Sequence, residues 1–265
     1  MTTDEEIKAC CAAVYSTDAV AALLGEAYHP GGRRLTRRLA EHLHLRPEGR
    51  VVDVASGPGA TAQLIAIEYG VQVDGVDLAE RSVHQARRRV ADFGVADRVR
   101  FHVGEAEHLP LLDGSADAVI SECAFCTFPD KPTAAAEFAR VLRPGGRLGL
   151  ADVVTSSAGL PHELSTAAAW VACIADARPP EYYRAVLADA GLHPLVTERC
   201  DDALLDMIDH IESRLRLVQI VGSFAALGVD AELVLYYAQL ARQAVTDGLL
   251  GYALIVAEKP VAEHR

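Results

Sequence analysis

Residues 51–80 read VVDVASGPGATAQLIAIEYGVQVDGVDLAE. A β-branched run at 50–54 enters a turn of small residues, a helical stretch follows at 60–69, and a second apolar run at 71–77 ends on Asp77. Strand, glycine turn, helix and strand make the opening of a parallel sheet, because parallel neighbours need a crossover and a helix supplies it. Glycines after a buried strand let the backbone turn tightly and approach a ligand with no Cβ in the way. Residues 57–62 also satisfy the loose dinucleotide pattern G-x-G-x-x-[GA], a weak signal alone. The two acids narrow the choice. Asp53 stands at the strand end before the turn, where a carboxylate repels a pyrophosphate and suits a cationic ligand. Asp77 closes the second strand, where an acid can accept hydrogen bonds from both hydroxyls of a ribose.

The alternation continues outward. VRFHV (99–103), DAVIS (117–121) and RLGLADVV (147–154) read as strands, with helical patterns at 80–93 and 131–142 between them. Arg143-Pro144-Gly145-Gly146 is a stop and turn. A helical stretch at 161–191, a sixth strand at 192–199 and a last strand at 251–260 complete the pattern. It predicts a doubly wound α/β fold, a seven-stranded, mostly parallel, Rossmann-like sheet. The chain divides into an N-terminal helical lid at 1–46, broken at His29-Pro30-Gly31-Gly32, and an α/β core at 47–200. A two-helix insert at 201–250, a cap or a dimer face, precedes the last strand and tail at 251–265.

With 25 basic and 37 acidic residues the net charge is −12, which argues against general nucleic-acid binding. No run reaches the roughly 18 apolar residues of a membrane span, and the acidic start MTTDEEIKACC lacks a signal-peptide core. A cytoplasmic protein with no membrane partner is expected, and a homodimer through the insert is open. In that compartment the six cysteines do not suggest a disulfide framework, and Cys200 reads as a small buried hydrophobe.

The turn DVASGPG (53–59), the strand end GVDLA (75–79), VGEAEHLPLLDGSADAVIS (103–121) and RVLRPGGRL (140–148) together resemble the class I S-adenosylmethionine-dependent methyltransferases. The resemblance implies that S-adenosylmethionine is the cofactor. It implies a cofactor site built from Asp53, Ala55, Ser56, Gly57 and Gly59, from Asp77 and Leu78, from Gly104, Glu105 and Ala106, and from Glu122. Glu105 is then expected to take the adenine 6-amino group and the Ala106 N–H a ring nitrogen. Position 55 is more often glycine in that family, but alanine is small enough to fit.

The loop after the fourth strand, SECAFCTFPDK (121–131), carries Cys123 and Cys126 beside the expected chemistry. No second Cys/His pair has zinc spacing. Lys8-Ala9-Cys10-Cys11, Ser121-Glu122-Cys123, and Cys173 ahead of Ala190-Gly191 together are similar to the arsenite methyltransferases. That likeness implies that Cys123, Cys173 and Cys11 or Cys10 bind trivalent arsenic as soft thiolates, serving as catalytic ligands to a metalloid substrate. Glu122 departs from that family's asparagine, Cys126 is additional, and the insert has no counterpart there. The alternatives are a small organic acceptor or a non-catalytic metalloid binder. For the organic acceptor, Tyr15, Tyr28, Phe125, Phe128, Trp170, Tyr182 and Tyr183 are candidate pocket residues, most of them expected in the core or an interface. His29, His108 and His162 are candidate bases, none favoured.

Overall fold

The computed structural model describes residues 28–166, 176–221 and 231–261, together with residues 8, 13, 15, 17, 20, 21, 24, 25 and 174. Cys10, Cys11, Cys173 and Trp170 lie outside the described residues.

The chain begins its regular core with helix α1 (Gly32–Leu43). Its sequence, GRRLTRRLAEHL, places Leu35, Leu39 and Leu43 at four-residue intervals on one buried face and turns the arginines outward. Then β1 (Arg50–Val54), α2 (Ala60–Tyr69), β2 (Gln72–Asp77), α3 (Glu80–Asp92), β3 (Val99–Val103) and β4 (Ala116–Glu122) alternate. Helix α4 (Lys131–Val141), strand β5 (Leu142–Thr155), short α5 (His162–Thr166), α6 (Pro180–Asp189) and β6 (His193–Arg199) follow. The insert supplies α7 (Asp201–Val221) and α8 (Ala231–Thr246), and β7 (Leu250–Glu258) closes the order.

The seven strands form one sheet in the order β3-β2-β1-β4-β5-β7-β6. The pairs from β3 to β5 are parallel, and β7 runs antiparallel between β5 and β6. This is the mostly parallel doubly wound sheet expected from the sequence. Strand β7 and the part of β5 from Leu148 are buried on both faces, and they read as mainly apolar runs. Edge strand β6 alternates exposed and half-buried residues. Strand order reverses between β1 and β4, and ligands in such sheets bind outside the carboxyl ends at that point.

Two expectations need correction. The helical stretch at 161–191 is not continuous. Asp176–Pro179 is non-helical, and Arg178 forms a bridge to Val154. The pair Pro179-Pro180 explains this, since a residue before proline is driven out of the helical region. The Arg143–Gly146 segment is absorbed into the start of β5, where the β4–β5 register shifts between Ala116 and Ala118.

Candidate active site

The carboxyl ends of β1 to β4 open on one cleft enclosing about 960 Å³, its open mouth included. Its floor is the turn after β1. Gly57 has φ 51, and a Cβ there would meet nothing within 4 Å, so the position opens into free space above the turn. Gly59 has φ 80, and a Cβ there would lie 2.6 Å from the Phe101 ring. The two glycines thus serve different needs, an open approach for a ligand and a close approach to β3. Ala55 also lines the cleft and fits as expected, but with φ 59, a left-handed conformation costly for a residue with a Cβ.

Asp53, next to last in β1, is 2 % exposed and lines a smaller pocket that adjoins the cleft, with His29, Thr61 and Glu122. It accepts a hydrogen bond from the Ala62 backbone N–H, and its Oδ2 has no partner among the described residues. Burial pushes its carboxyl well above the usual range, and the charges of Glu122 and Asp77 add to that. Asp77 accepts the Gly57 N–H at 2.7 Å on Oδ2 and the Ala79 N–H at 2.8 Å on Oδ1. Burial raises its pKa against the pull of those two bonds. Each Asp77 oxygen keeps a second lone pair facing the cleft wall for a ligand hydroxyl. Ser56 is buried at the turn with its Oγ unpartnered among the described residues.

Gly104, Glu105 and Ala106 follow β3 and line the same cleft with Leu78. Glu105 is half exposed and bound by Lys8 Nζ at 2.7 Å, which also reaches Glu107 at 3.1 Å. Burial works against the Lys8 charge, but hydrogen bonds to Glu105 and Glu107 outweigh it and raise its pKa. Lys8 therefore lies against the loop after β3.

Glu122 ends β4 with its side chain 4 % exposed. Thr61 Oγ1 donates to it at 2.6 Å, and Thr36 Oγ1 lies 3.1 Å from the same oxygen. His29 Nε2 stands 3.4 Å from it. His29 is one of three candidate bases in the sequence, with none favoured. Its signal was a histidine beside the chain break at Pro30, but nothing local names a partner on β4.

Cys123 lies in the cleft wall with φ 54, its N–H donating to Ala151 O at 2.7 Å. Cys126, three residues on, is turned into the core by the 3-10 turn Phe125–Thr127 and has no exposure. Its N–H donates to Asp152 Oδ2 at 3.1 Å. Spacing put the two thiols together, and the turn separates their surroundings. Tyr15, Tyr28 and Phe128 line the cleft, whereas Phe125 and Tyr183 are fully buried in the core and Tyr182 is largely exposed. His108 and His162 are exposed. Cys200 is half-buried rather than buried, and burial pushes its thiol pKa up. No group of three His, Cys, Asp or Glu among the described residues could hold a metal ion.

Residues 52–150 match a methyltransferase domain family. A 27-O-demethylrifamycin SV methyltransferase of Amycolatopsis mediterranei is 33% identical over 86% of this chain and 83% of its own length. Methyltransferase GfsG of Streptomyces halstedii is 36% identical over 61% of this chain and 59% of that one. An arsenite methyltransferase of Halobacterium salinarum is 36% identical, but over 56% of this chain and only 38% of its own. Among solved structures, a Haemonchus contortus phosphoethanolamine N-methyltransferase 2 in complex with S-adenosyl-L-methionine superposes with TM-score 0.78 at 19% identity, covering 98% of this chain and 58% of that one. The chain belongs to the class I S-adenosylmethionine-dependent methyltransferases. Its cofactor is S-adenosylmethionine, and the residues present suit that ligand: an open turn at Gly57, an orphaned buried carboxylate oxygen on Asp53 for a cation, and free lone pairs on Asp77. Among the described residues no helix is long and apolar enough to cross a membrane.

Proposed function

We propose that this methyltransferase acts on an oxygen of a small organic acceptor. The observation that carries this reading is the acceptor side of the cleft. There Tyr15, Tyr28, Phe128 and Pro129 make a mainly apolar wall beside Cys123, a surface that suits a carbon skeleton. The relative named a 27-O-demethylrifamycin SV methyltransferase supports it, because the likeness runs through most of both chains.

S-adenosylmethionine supplies an electrophilic methyl on a sulfonium. In this reading Asp53 and Glu122 face the cofactor's ammonium, Asp77 holds the ribose hydroxyls, and Gly57 leaves the space the ligand enters. Leu78 and Ala106 flank the adenine, with Glu105 accepting from its 6-amino group. The aromatic wall orients the acceptor and excludes water, so the rate comes from alignment and desolvation.

Arsenite is the second reading, favoured by one observation: Cys123 lines the cleft on a left-handed backbone. Its partners Cys10, Cys11 and Cys173 lie outside the described residues. The test is S-adenosylhomocysteine release from the full chain with a panel of phenolic and polyketide alcohols, and separately with arsenite plus thiol. Turnover on an alcohol that survives Cys123→Ser within about threefold supports the first reading. Turnover on arsenite alone, lost in Cys123→Ser with cofactor affinity kept, replaces it with the second.

A further inference from the structure

The cleft holds an imbalance of charge. Asp53, Asp77 and Glu122 converge from the ends of β1, β2 and β4, and the basic side chain in contact with this group among the described residues is His29. His29 is buried, at 8 % exposure, just ahead of α1. Its Nδ1 faces Pro30 O at 3.1 Å, and a carbonyl only accepts, so Nδ1 carries hydrogen. Its Nε2 faces the Glu122 carboxylate at 3.4 Å and Thr36 Oγ1 at 3.3 Å.

Glu122 is therefore the satisfied member of the cluster, with Thr36, Thr61 and His29 all on its oxygens. Asp53 is the unsatisfied one. Its Oδ2 is buried and lacks a partner among the described residues, and the groups facing it are the like charges of Glu122 and Asp77 and the Ala62 N–H from α2. An isolated buried carboxylate in such surroundings takes a proton instead of remaining ionised.

We propose that Asp53 holds a proton in the ligand-free cleft and gives it up when the cofactor's ammonium arrives, with His29 as the positioning residue that holds the Glu122 side chain in place, so that cofactor binding is coupled to proton release. This rests on the assignment of the cofactor's amino-acid end to Asp53 and Glu122. The balance is simple: the protonated Asp53 carboxyl meets the ligand ammonium, a carboxylate–ammonium pair forms, and the proton passes to buffer. Because the binding-competent form is the ionised one, affinity rises with pH until Asp53 is ionised without ligand. Below that point each pH unit costs up to about tenfold in affinity.

The experiment is calorimetric titration of the full chain with S-adenosylhomocysteine, which keeps the ammonium and is not turned over. It is run in buffers of different ionisation heat from about pH 5 to about pH 7.5, a range in which the ligand's amino group stays largely protonated. The wild type should release about one proton per ligand at the acid side of this range. Asp53→Asn should release none. Glu122→Gln removes a like charge and should move the release curve to lower pH. His29→Asn frees the Glu122 side chain held beside Asp53 and should shift the curve. A merely structural His29 would weaken binding without moving the curve. Tight binding with the same heat in every buffer overturns the proposal, as does undiminished release in Asp53→Asn. No binding of the ligand at any pH overturns the cofactor-site assignment itself, a result the heats distinguish from proton-silent binding.

Discussion

The two ends of the cleft are built differently. The cofactor end is made by backbone. Two positive-φ glycines, a pair of N–H groups on Asp77 and acids at consecutive strand ends define it, all within residues 53–106. The acceptor end is made by side chains from distant parts of the chain: Tyr15 and Tyr28 before α1, and Cys123 and Phe128 after β4. It is braced from below by Lys131. A backbone-built site tolerates little change and serves one ligand. A site of side chains on loops can be refitted for a new acceptor while the cofactor end stays as it is.

The contrast is broken most severely at Gly59. Gly59→Val places a branched side chain at φ 80 against the Phe101 ring and Ala86. Strain and overpacking together should cost about 3 kcal/mol or more in denaturant unfolding, with cofactor affinity lost alongside. The matching cut at the acceptor end is Lys131→Met. Lys131 is 2 % exposed, and its Nζ donates to Cys126 O at 2.9 Å, Phe128 O at 3.1 Å and Asp176 Oδ2 at 2.5 Å. Losing these should cost about 2–3 kcal/mol, because two carbonyls and a carboxylate lose their donor. The readout that separates the ends is kinetic. Lys131→Met should raise the acceptor KM through the loosened 124–129 loop while the cofactor dissociation constant stays within about twofold.

The same contrast explains what was legible in the sequence. Strands β1 and β3 and helix α2 fall at their expected boundaries, because β-branched blocks punctuated by glycine turns carry their own signal. Asp53, Gly57 and Asp77 were readable for the same reason: each stands at a fixed place relative to a strand end. Lys8 on Glu105 and His29 on Glu122 join residues about a hundred positions apart, and no local pattern encodes which charge meets which. Cys123 and Cys126 fail differently. Their spacing was visible, but a 3-10 turn set by the packing of Phe125 on Phe138 and Tyr183 decides which of them faces the cleft. The break before α6 is encoded in Pro179-Pro180, a local signal that outweighs the helical periodicity around it.

A milder test concerns Lys8, which meets the loop after β3 at the cofactor end. Lys8→Ala removes the ion pairs to Glu105 and Glu107 at a partly exposed site, so the effect should be small. Cofactor affinity should fall about threefold at low salt. The difference from wild type should narrow as salt rises, because screening weakens the wild-type pair. An equal loss at all salt concentrations would mean that Lys8 acts through packing of its stem instead.

The smallest expected effect is at Ala55, the residue that departs from glycine in the cofactor turn. With φ 59 it pays the left-handed penalty that a glycine avoids, of roughly 1–2 kcal/mol. Glycine in turn loses more entropy on folding, by roughly 0.5–1 kcal/mol. Strain is the larger of the two, so Ala55→Gly should stabilise the protein by up to about 1 kcal/mol in denaturant unfolding. Cofactor affinity should change little, since the turn is already held by the Ser56 N–H on Val76 O and the Gly57 N–H on Asp77. Weaker cofactor binding with unchanged stability would instead show that the alanine methyl, which lines the cleft, touches the ligand. Position 55 would then belong with the side-chain-built part of the site and not with the backbone-built part.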